Sequence, residues 1–153
     1  MQQANWHSNR TGKPRVILLV EDHDIYREVV RAALGKYLPD FEMLEAESVA
    51  AALPVLQSQR VDVMVVDMTL PDGSAVDLVE QARCIIDQGM KVIVFSSHSS
   101  AEMLPVLSRR DVHGYVSKEQ GLKILAEAIL ETCGGKRDQD QGLAVREPAL
   151  RMI

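Results

Sequence analysis

Short apolar runs alternate with amphipathic segments along this chain, and that alternation constrains the fold more than any other feature. The runs are too short for typical helices, and three of them are apolar almost throughout, as strands buried on both faces of a sheet should be. Strands joined by single helices pair in parallel through right-handed crossovers. The sequence therefore predicts an α/β fold, a three-layer sandwich with a doubly wound, five-stranded parallel sheet. The predicted strands are 16–20, 41–46, 61–67, 91–95 and 115–117.

The predicted helices fill the intervals between these strands and follow the last one. The first covers 25–38, and the second begins after Ser48, its expected N-cap. The other three cover 76–86, 101–109 and 122–132. Apolar residues of the first helix are expected to face the core. They are Ile25, Val29, Ala32, Ala33 and Tyr37.

The stretch 61–73, VDVMVVDMTLPDG, carries the first candidate functional residue. Its apolar part is a predicted buried strand that ends on Asp67, and the turn signal LPDG follows at 70–73. Ligands of open α/β sheets bind in the crevice at the carboxyl ends of the strands. Taken alone, Asp67 is equally well explained as a turn residue, because aspartate is common at strand ends and turns.

Polar side chains follow four of the five predicted strands, at the point where each strand ends. In chain order they are Glu21 and Asp22, Asp67, Ser96, and Lys118. Three carboxylates at one edge of a sheet repel each other unless a cation lies between them, and such oxygen ligands suit Mg²⁺ together with phosphate oxygens. A lysine and a hydroxyl can hold further phosphate oxygens, and a carboxylate can be the nucleophile. The pattern therefore indicates Mg²⁺-dependent transfer of a phosphoryl group onto Asp67.

Each of these residues also has an ordinary structural explanation. Glu21 and Asp22 could cap a helix, Ser96 could be a loop hydroxyl, and Lys118 could be a solvated lysine. Their joint occurrence at strand ends, in a chain with five such strands, favours a common site.

Four segments resemble the motifs of receiver domains in two-component response regulators. They are VILLVEDHD at 16–24, VDVMVVDMTLPDG at 61–73, VIVFSS at 92–97 and GYVSKE at 114–119. The resemblance covers nearly all of the chain that is expected to be ordered, and it is closest to receivers of LuxR-type regulators. It implies the flavodoxin-like strand order 2-1-3-4-5.

The resemblance also implies a phosphoacceptor and a metal site. Asp67 would accept the phosphoryl group from a sensor histidine kinase or a phosphotransfer protein. Asp22 would bind Mg²⁺ directly, and Glu21 would do so directly or through water. The backbone carbonyl of Thr69 would be a further ligand.

A switch is implied as well. Ser96 would turn toward the phosphoryl group, Tyr115 would move inward with it, and Lys118 would pair with a phosphoryl oxygen. The chain departs from the family at Glu119, where many receivers have proline, and at Ser97, where a small residue, often alanine, is usual.

Composition excludes several other classes of function. A net charge of -5 and an aromatic content of 4% offer neither a basic footprint nor many rings for nucleic acid. No apolar run approaches the length of a membrane span, and the first fifteen residues lack the apolar centre of a secretory signal. A cytoplasmic protein is expected, with Cys84 and Cys133 as reduced thiols.

Three segments are expected along the chain: a flexible arm over 1–13, a receiver domain over 14–134, and a linker with a C-terminal tail over 135–153. In the tail, Leu143, Arg146 and Glu147 loosely resemble the opening of a LuxR-type helix-turn-helix, whereas Pro148 does not fit it. A stand-alone receiver and a truncated regulator, which would bind DNA only through the missing domain, both stay open.

The leading hypothesis is a phosphorylation-operated switch that controls an output, assists only its own phosphorylation and dephosphorylation, and is not a conventional enzyme. The alternative is a phosphate-independent adaptor of receiver fold that acts by constitutive protein–protein interaction. An aspartate-dependent phosphatase usually has a second acid two residues after the nucleophile, where this chain has Thr69, and no P-loop motif is present. A homodimer is also expected, with its interface left open.

Overall fold

A five-stranded parallel sheet forms the middle layer of the computed structural model, which describes residues 14–98, 109 and 111–134. Between the third and fourth strands of this sheet, two short strands, β4 (Thr69–Leu70) and β5 (Gly73–Ser74), form an antiparallel hairpin where the sequence predicts only a turn. The strands of the main sheet are β1 (Val16–Val20), β2 (Glu42–Ala46), β3 (Val63–Val66), β6 (Lys91–Ser96) and β7 (Gly114–Ser117).

The spatial order of the sheet is β2-β1-β3-β6-β7. Counted within this sheet alone, that is the expected order 2-1-3-4-5, so the predicted flavodoxin-like topology is confirmed. The parallel register pairs Val20 with Val66 and Val66 with Val94, which brings the carboxyl ends of the three central strands to one edge.

Helices cover both faces of the sheet, so the predicted three-layer sandwich is confirmed. In β1, in β3 and over 92–95 of β6, alternating residues point to opposite faces of the sheet, and both sets are apolar and buried. One face packs against α2, α3 and α4, and the other packs against α1 and α5. The bounds are α1 (Asp24–Tyr37), α2 (Val49–Ser58), α3 (Ala75–Gln81), α4 (Arg83–Asp87) and α5 (Leu122–Gly134), with one turn of 3-10 helix at Lys118–Gln120.

The predicted inner face of α1 is wrong. Ile25, Val29 and Tyr37 are exposed, with 70%, 48% and 45% of their surface accessible, while Val30 and Leu34 are fully buried. Apolar residues at a spacing of four form two neighbouring stripes on this helix, and periodicity alone does not say which stripe faces inward. Contact with the core around Phe95 and α5 selects the stripe that contains Val30 and Leu34.

The single helix predicted over 76–86 is observed as two helices that meet at Ala82. The Ala82 N–H donates to both Leu78 O, at 2.9 Å, and Val79 O, at 3.2 Å. Such a shared hydrogen bond is common at helix termini, and it ends α3 before α4 begins.

Some predicted segments lie outside the described residues. They are the arm over 1–13, the helix over 101–109 except for Arg109, and the tail after Gly134, together with Ser99 and Ser100. Among the residues that the structure does describe, none of the helices is long and apolar enough to cross a membrane.

Candidate functional site

Three carboxylates meet at the carboxyl edge of the sheet. One oxygen from each of Glu21, Asp22 and Asp67 lies within 4.8 Å of the others. The backbone holds two of them in place, because Glu21 N donates to Ala46 O at 3.0 Å and Asp67 N donates to Val20 O at 3.1 Å. Such a set of oxygen donors fits a hard divalent cation, so these three residues could hold Mg²⁺.

Lys118 brings a positive charge to these acids from the end of β7. Its Nζ donates to Glu21 Oε1 at 2.9 Å and to Asp67 Oδ2 at 3.4 Å. The Glu21 side chain is only 5% exposed and the Lys118 side chain 19%, so this ion pair is largely withdrawn from water. The ammonium therefore offsets part of the repulsion among the carboxylates.

Burial and neighbouring charges shift the pKa values of this pair. Burial raises the pKa of Asp67, the positive charge of Lys118 opposes that rise, and the negative charge of Glu21 adds to it. Burial by itself lowers the pKa of Lys118, but the hydrogen bond to Glu21 and the charges of Asp67 and Glu21 together raise it. Lys118 therefore stays positively charged at neutral pH.

The loop that carries Lys118 is built by its neighbours. Ser117 Oγ accepts a hydrogen bond from Glu119 N at 3.2 Å, and Ser117 N donates to the Gln120 side chain at 3.0 Å. Glu119 stands where many receivers have proline, and a proline could not donate this hydrogen bond because it has no N–H. The departure noted in the sequence therefore helps to hold the turn that begins at Lys118.

The predicted switch residues form a second group, which His98 connects. Ser96 is fully buried, and its Oγ lies 2.8 Å from His98 Nδ1 and accepts from His98 N at 3.2 Å. The Tyr115 ring is also fully buried, and its hydroxyl donates to His98 O at 2.8 Å. Tyr115 was expected to move inward on phosphorylation, whereas in this structure its ring already lies inside.

Thr69 belongs to this second group through its side chain. It begins β4, two residues after Asp67, and its hydroxyl lies 3.4 Å from His98 Nε2. The His98 imidazole thus joins the loop after β3 to the loop after β6. Sequence reasoning missed His98, and its position two residues after Ser96 was the only signal for it.

Two further polar residues hold the loops of the site and were also missed. Arg27 donates to the Glu21 carbonyl oxygen at 2.6 Å and to Glu45 Oε1 at 3.0 Å, which fixes the loop between β1 and α1. Asp72 accepts hydrogen bonds from Val49 N and Ala50 N, both at 2.9 Å, so the turn after β4 is tied to the start of α2. These hydrogen bonds lower the pKa of Asp72.

Removing the charge of Asp67 is expected to stabilise the cation-free protein. The pKa of the Asp67 carboxyl is higher in the folded protein than in the unfolded chain, so the folded protein binds this proton more tightly. The free energy of unfolding therefore falls as pH rises through the folded-state pKa of Asp67. At neutral pH the Asp67 carboxyl is ionised, and its full destabilising effect on the folded protein is present. We expect Asp67→Asn to raise the free energy of unfolding, measured in urea titrations with a chelator present.

The same titrations at lower pH provide the control for this prediction. The advantage of Asp67→Asn should shrink as the native carboxyl becomes protonated. An advantage that stays constant with pH would show that the ionised carboxylate is not its source.

Comparison with known proteins gives consistent matches over the part of the chain that contains this site. The model of the response regulator receiver domain matches residues 17–130. The DNA-binding transcriptional activator DevR/DosR of Mycobacterium tuberculosis is 29% identical over 121 residues, which cover 78% of this chain and 55% of that protein. The chemotaxis protein CheY of Pseudomonas aeruginosa is 28% identical over 116 residues, which cover 74% of this chain and 91% of that protein.

A solved structure extends the comparison. A two-component response regulator of the LuxR family from Aurantimonas sp. SI85-9A1 has a TM-score of 0.75 and 25% sequence identity, and the match covers 90% of this chain and 92% of the other. The chain spans about half the length of the first curated relatives that it matches.

Proposed function

Because this chain belongs to the response regulator receiver family, we propose that it is a phosphorylation-operated switch of the cytoplasm. A sensor histidine kinase or a phosphotransfer protein would donate a phosphoryl group to Asp67 in a Mg²⁺-dependent reaction. The observation that carries this proposal is the position of Asp67, which shares a cluster with two other carboxylates and lies 3.4 Å from the ammonium of Lys118.

The chemistry assigned to Asp67 is nucleophilic. A carboxylate oxygen of Asp67 attacks the phosphorus atom, the new P–O bond forms an acyl phosphate, and the electron pair of the broken bond leaves with the donor. Lys118 opposes the rise in the pKa of Asp67 and so favours the ionised nucleophile. Its ammonium can then pair with an oxygen of the transferred group.

A divalent cation bound at the three carboxylates would assist this reaction. Mg²⁺ held by Glu21, Asp22, Asp67 and the backbone carbonyl of Thr69 would neutralise the negative charge of the incoming phosphoryl oxygens. Glu21 Oε1 accepts a hydrogen bond from Lys118, so binding of a cation by Glu21 would free the ammonium to pair with a phosphoryl oxygen.

The conformational response is assigned to the group around His98. Ser96 Oγ would leave the imidazole and donate its hydrogen bond to a phosphoryl oxygen. Because Tyr115 is bonded to the backbone of the same histidine, movement of this loop would reach β7. This links the chemistry to a two-state element, as phosphorylation switches require.

The output is proposed from the relatives. DevR/DosR is named a DNA-binding transcriptional activator, and control of transcription through a DNA-binding domain outside this chain is the output that we propose. A homodimer would couple the receiver to that output. Its interface would be formed either by α1 and α5 or by a face that includes β7 and α5.

The test is intact mass spectrometry after incubation with a small phosphodonor such as acetyl phosphate, with and without Mg²⁺. We expect one phosphoryl adduct that requires Mg²⁺, that is absent in Asp67→Asn, and that is retained in the control Asp87→Asn, which changes an exposed aspartate in α4. Solution mass measured in parallel would report a change from monomer to dimer. An adduct that persists in Asp67→Asn would contradict the assignment, and the lack of any adduct would favour the adaptor hypothesis.

A further inference from the structure

The aromatic ring of Tyr26 lies directly beside the ammonium of Lys118. The Nζ atom is 4.5 Å from the centroid of the ring, within the range of a cation–π contact. Tyr26 is in the first turn of α1, and its side chain is half-buried beside the acid cluster. Neither the metal site nor the switch described above uses this residue.

A buried aromatic residue of the sheet supports the Tyr26 ring. Tyr26 stacks on Phe95 with 6.3 Å between the ring centroids and an angle of 19° between the planes. Phe95 belongs to β6 and is 1% exposed, so the sheet itself fixes its position. Through these two contacts of Tyr26, the flexible side chain of Lys118 is linked to Phe95 in the core of the protein.

The other partners of Lys118 are the residues assigned to the cation. Its hydrogen bonds go to Glu21 and Asp67, and both carboxylates would turn oxygens to a bound Mg²⁺. A cation bound by these oxygens would weaken their hydrogen bonds to the Lys118 ammonium. Phosphoryl transfer, however, needs the ammonium next to Asp67 while the cation is bound. The face of an aromatic ring attracts the ammonium without competing for the metal ligands.

We propose that Tyr26 is a positioning residue for phosphoryl transfer, because its ring holds the Lys118 ammonium next to Asp67 when a divalent cation occupies the carboxylates. This inference rests on the proposed function of Asp67. Burial raises the pKa of the Tyr26 phenol, although Lys118 opposes the rise, so the ring next to the ammonium is a neutral phenol at neutral pH. The ring supplies the contact, and its hydroxyl is not required.

The test compares a variant that keeps the ring with one that removes it. Tyr26→Phe should take up phosphate from acetyl phosphate at nearly the native rate in saturating Mg²⁺. Tyr26→Leu should be slower by a factor on the order of three to ten, the range expected for loss of a cation–π contact. Tyr37→Leu is the matched control, since Tyr37 is an exposed tyrosine of the same helix, about 16 Å further along its axis.

A second measurement does not depend on phosphorylation. In NMR spectra of the unphosphorylated protein, the side-chain resonances of Lys118 should show a ring-current shift in the native protein and in Tyr26→Phe. The shift should persist when Mg²⁺ is added and should be absent in Tyr26→Leu. Circular dichroism would confirm that each variant is folded.

The outcomes separate this inference from the proposed function. Equal rates in Tyr26→Leu and the native protein, or Lys118 resonances that do not respond to loss of the ring, would overturn the positioning role. Equal slowing in Tyr37→Leu would overturn it as well, because the effect would then come from helix α1 as a whole. If the native protein takes up no phosphate, the proposed function of Asp67 fails and the role of Tyr26 in transfer fails with it, while the NMR measurement still decides whether the ring holds Lys118.

Discussion

Replacement of Lys118 by methionine is expected to lower the free energy of unfolding by about 2–3 kcal/mol when no divalent cation is present. The variant keeps most of the side-chain volume but leaves the carboxylate of Glu21, which is 5% exposed, without its hydrogen bond to the ammonium. Loss of one partner of a fully buried ion pair costs about 3–5 kcal/mol. We expect less here because Asp22 is exposed and water can reach that side of the cluster.

Mg²⁺ provides the internal check on this prediction. A divalent cation replaces the missing positive charge, and a ligand that binds only the folded state adds to stability by mass action. Urea titrations of Lys118→Met should therefore show a smaller loss in Mg²⁺ than in chelator. The control Lys123→Met, at an exposed lysine of α5, should change stability by less than about 0.5 kcal/mol in either buffer.

The sign of this effect is opposite to that expected for Asp67→Asn, although both changes are in the same cluster. Removing a cation from three acids increases their repulsion, whereas removing one acid relieves it. If Lys118→Met were as stable as the native protein in chelator, the ammonium would not be what allows the carboxylates to lie together.

Two adjacent valines in α1 should respond very differently to the same substitution. Val30→Asp is expected to lower the free energy of unfolding by about 3–4 kcal/mol, because Val30 is fully buried and the new carboxylate would have no partner in the apolar core. Val29→Asp should change it by less than about 0.5 kcal/mol, because Val29 is 48% exposed. Valine and aspartate have similar helix propensities, so the comparison isolates burial.

Chemical denaturation of the two variants, followed by circular dichroism, makes this comparison. A large loss in Val29→Asp together with a small one in Val30→Asp would support the helix face expected from the sequence and contradict the observed packing. Because the substitutions are identical and adjacent, general effects of an added negative charge cancel between them.

Much of the site follows from the order of residues along the chain. Once the strands are recognised as buried and parallel, Glu21, Asp22, Asp67 and Lys118 must come to one edge, since each directly follows a strand of the same sheet. The structure brings these four together, while their catalytic and metal-binding roles stay predictions that the experiments above address. The contacts of Tyr26 and His98 were not predictable in the same way, because neither residue belongs to a motif that determines its partner.

The resemblance to receiver domains implied the order of the strands in the sheet, whereas the five strands of the main sheet and the edge at which the charged residues collect were predictable from the sequence pattern. These features depend on local hydrophobic patterns and on the connections between neighbouring elements, which are written along the chain. Tertiary packing was needed to show which apolar stripe of α1 faces inward, and that Tyr26 contacts both Phe95 and Lys118. Both depend on close packing between segments far apart in the chain, where a helix rotation of one residue, about 100°, exchanges one apolar stripe for the other.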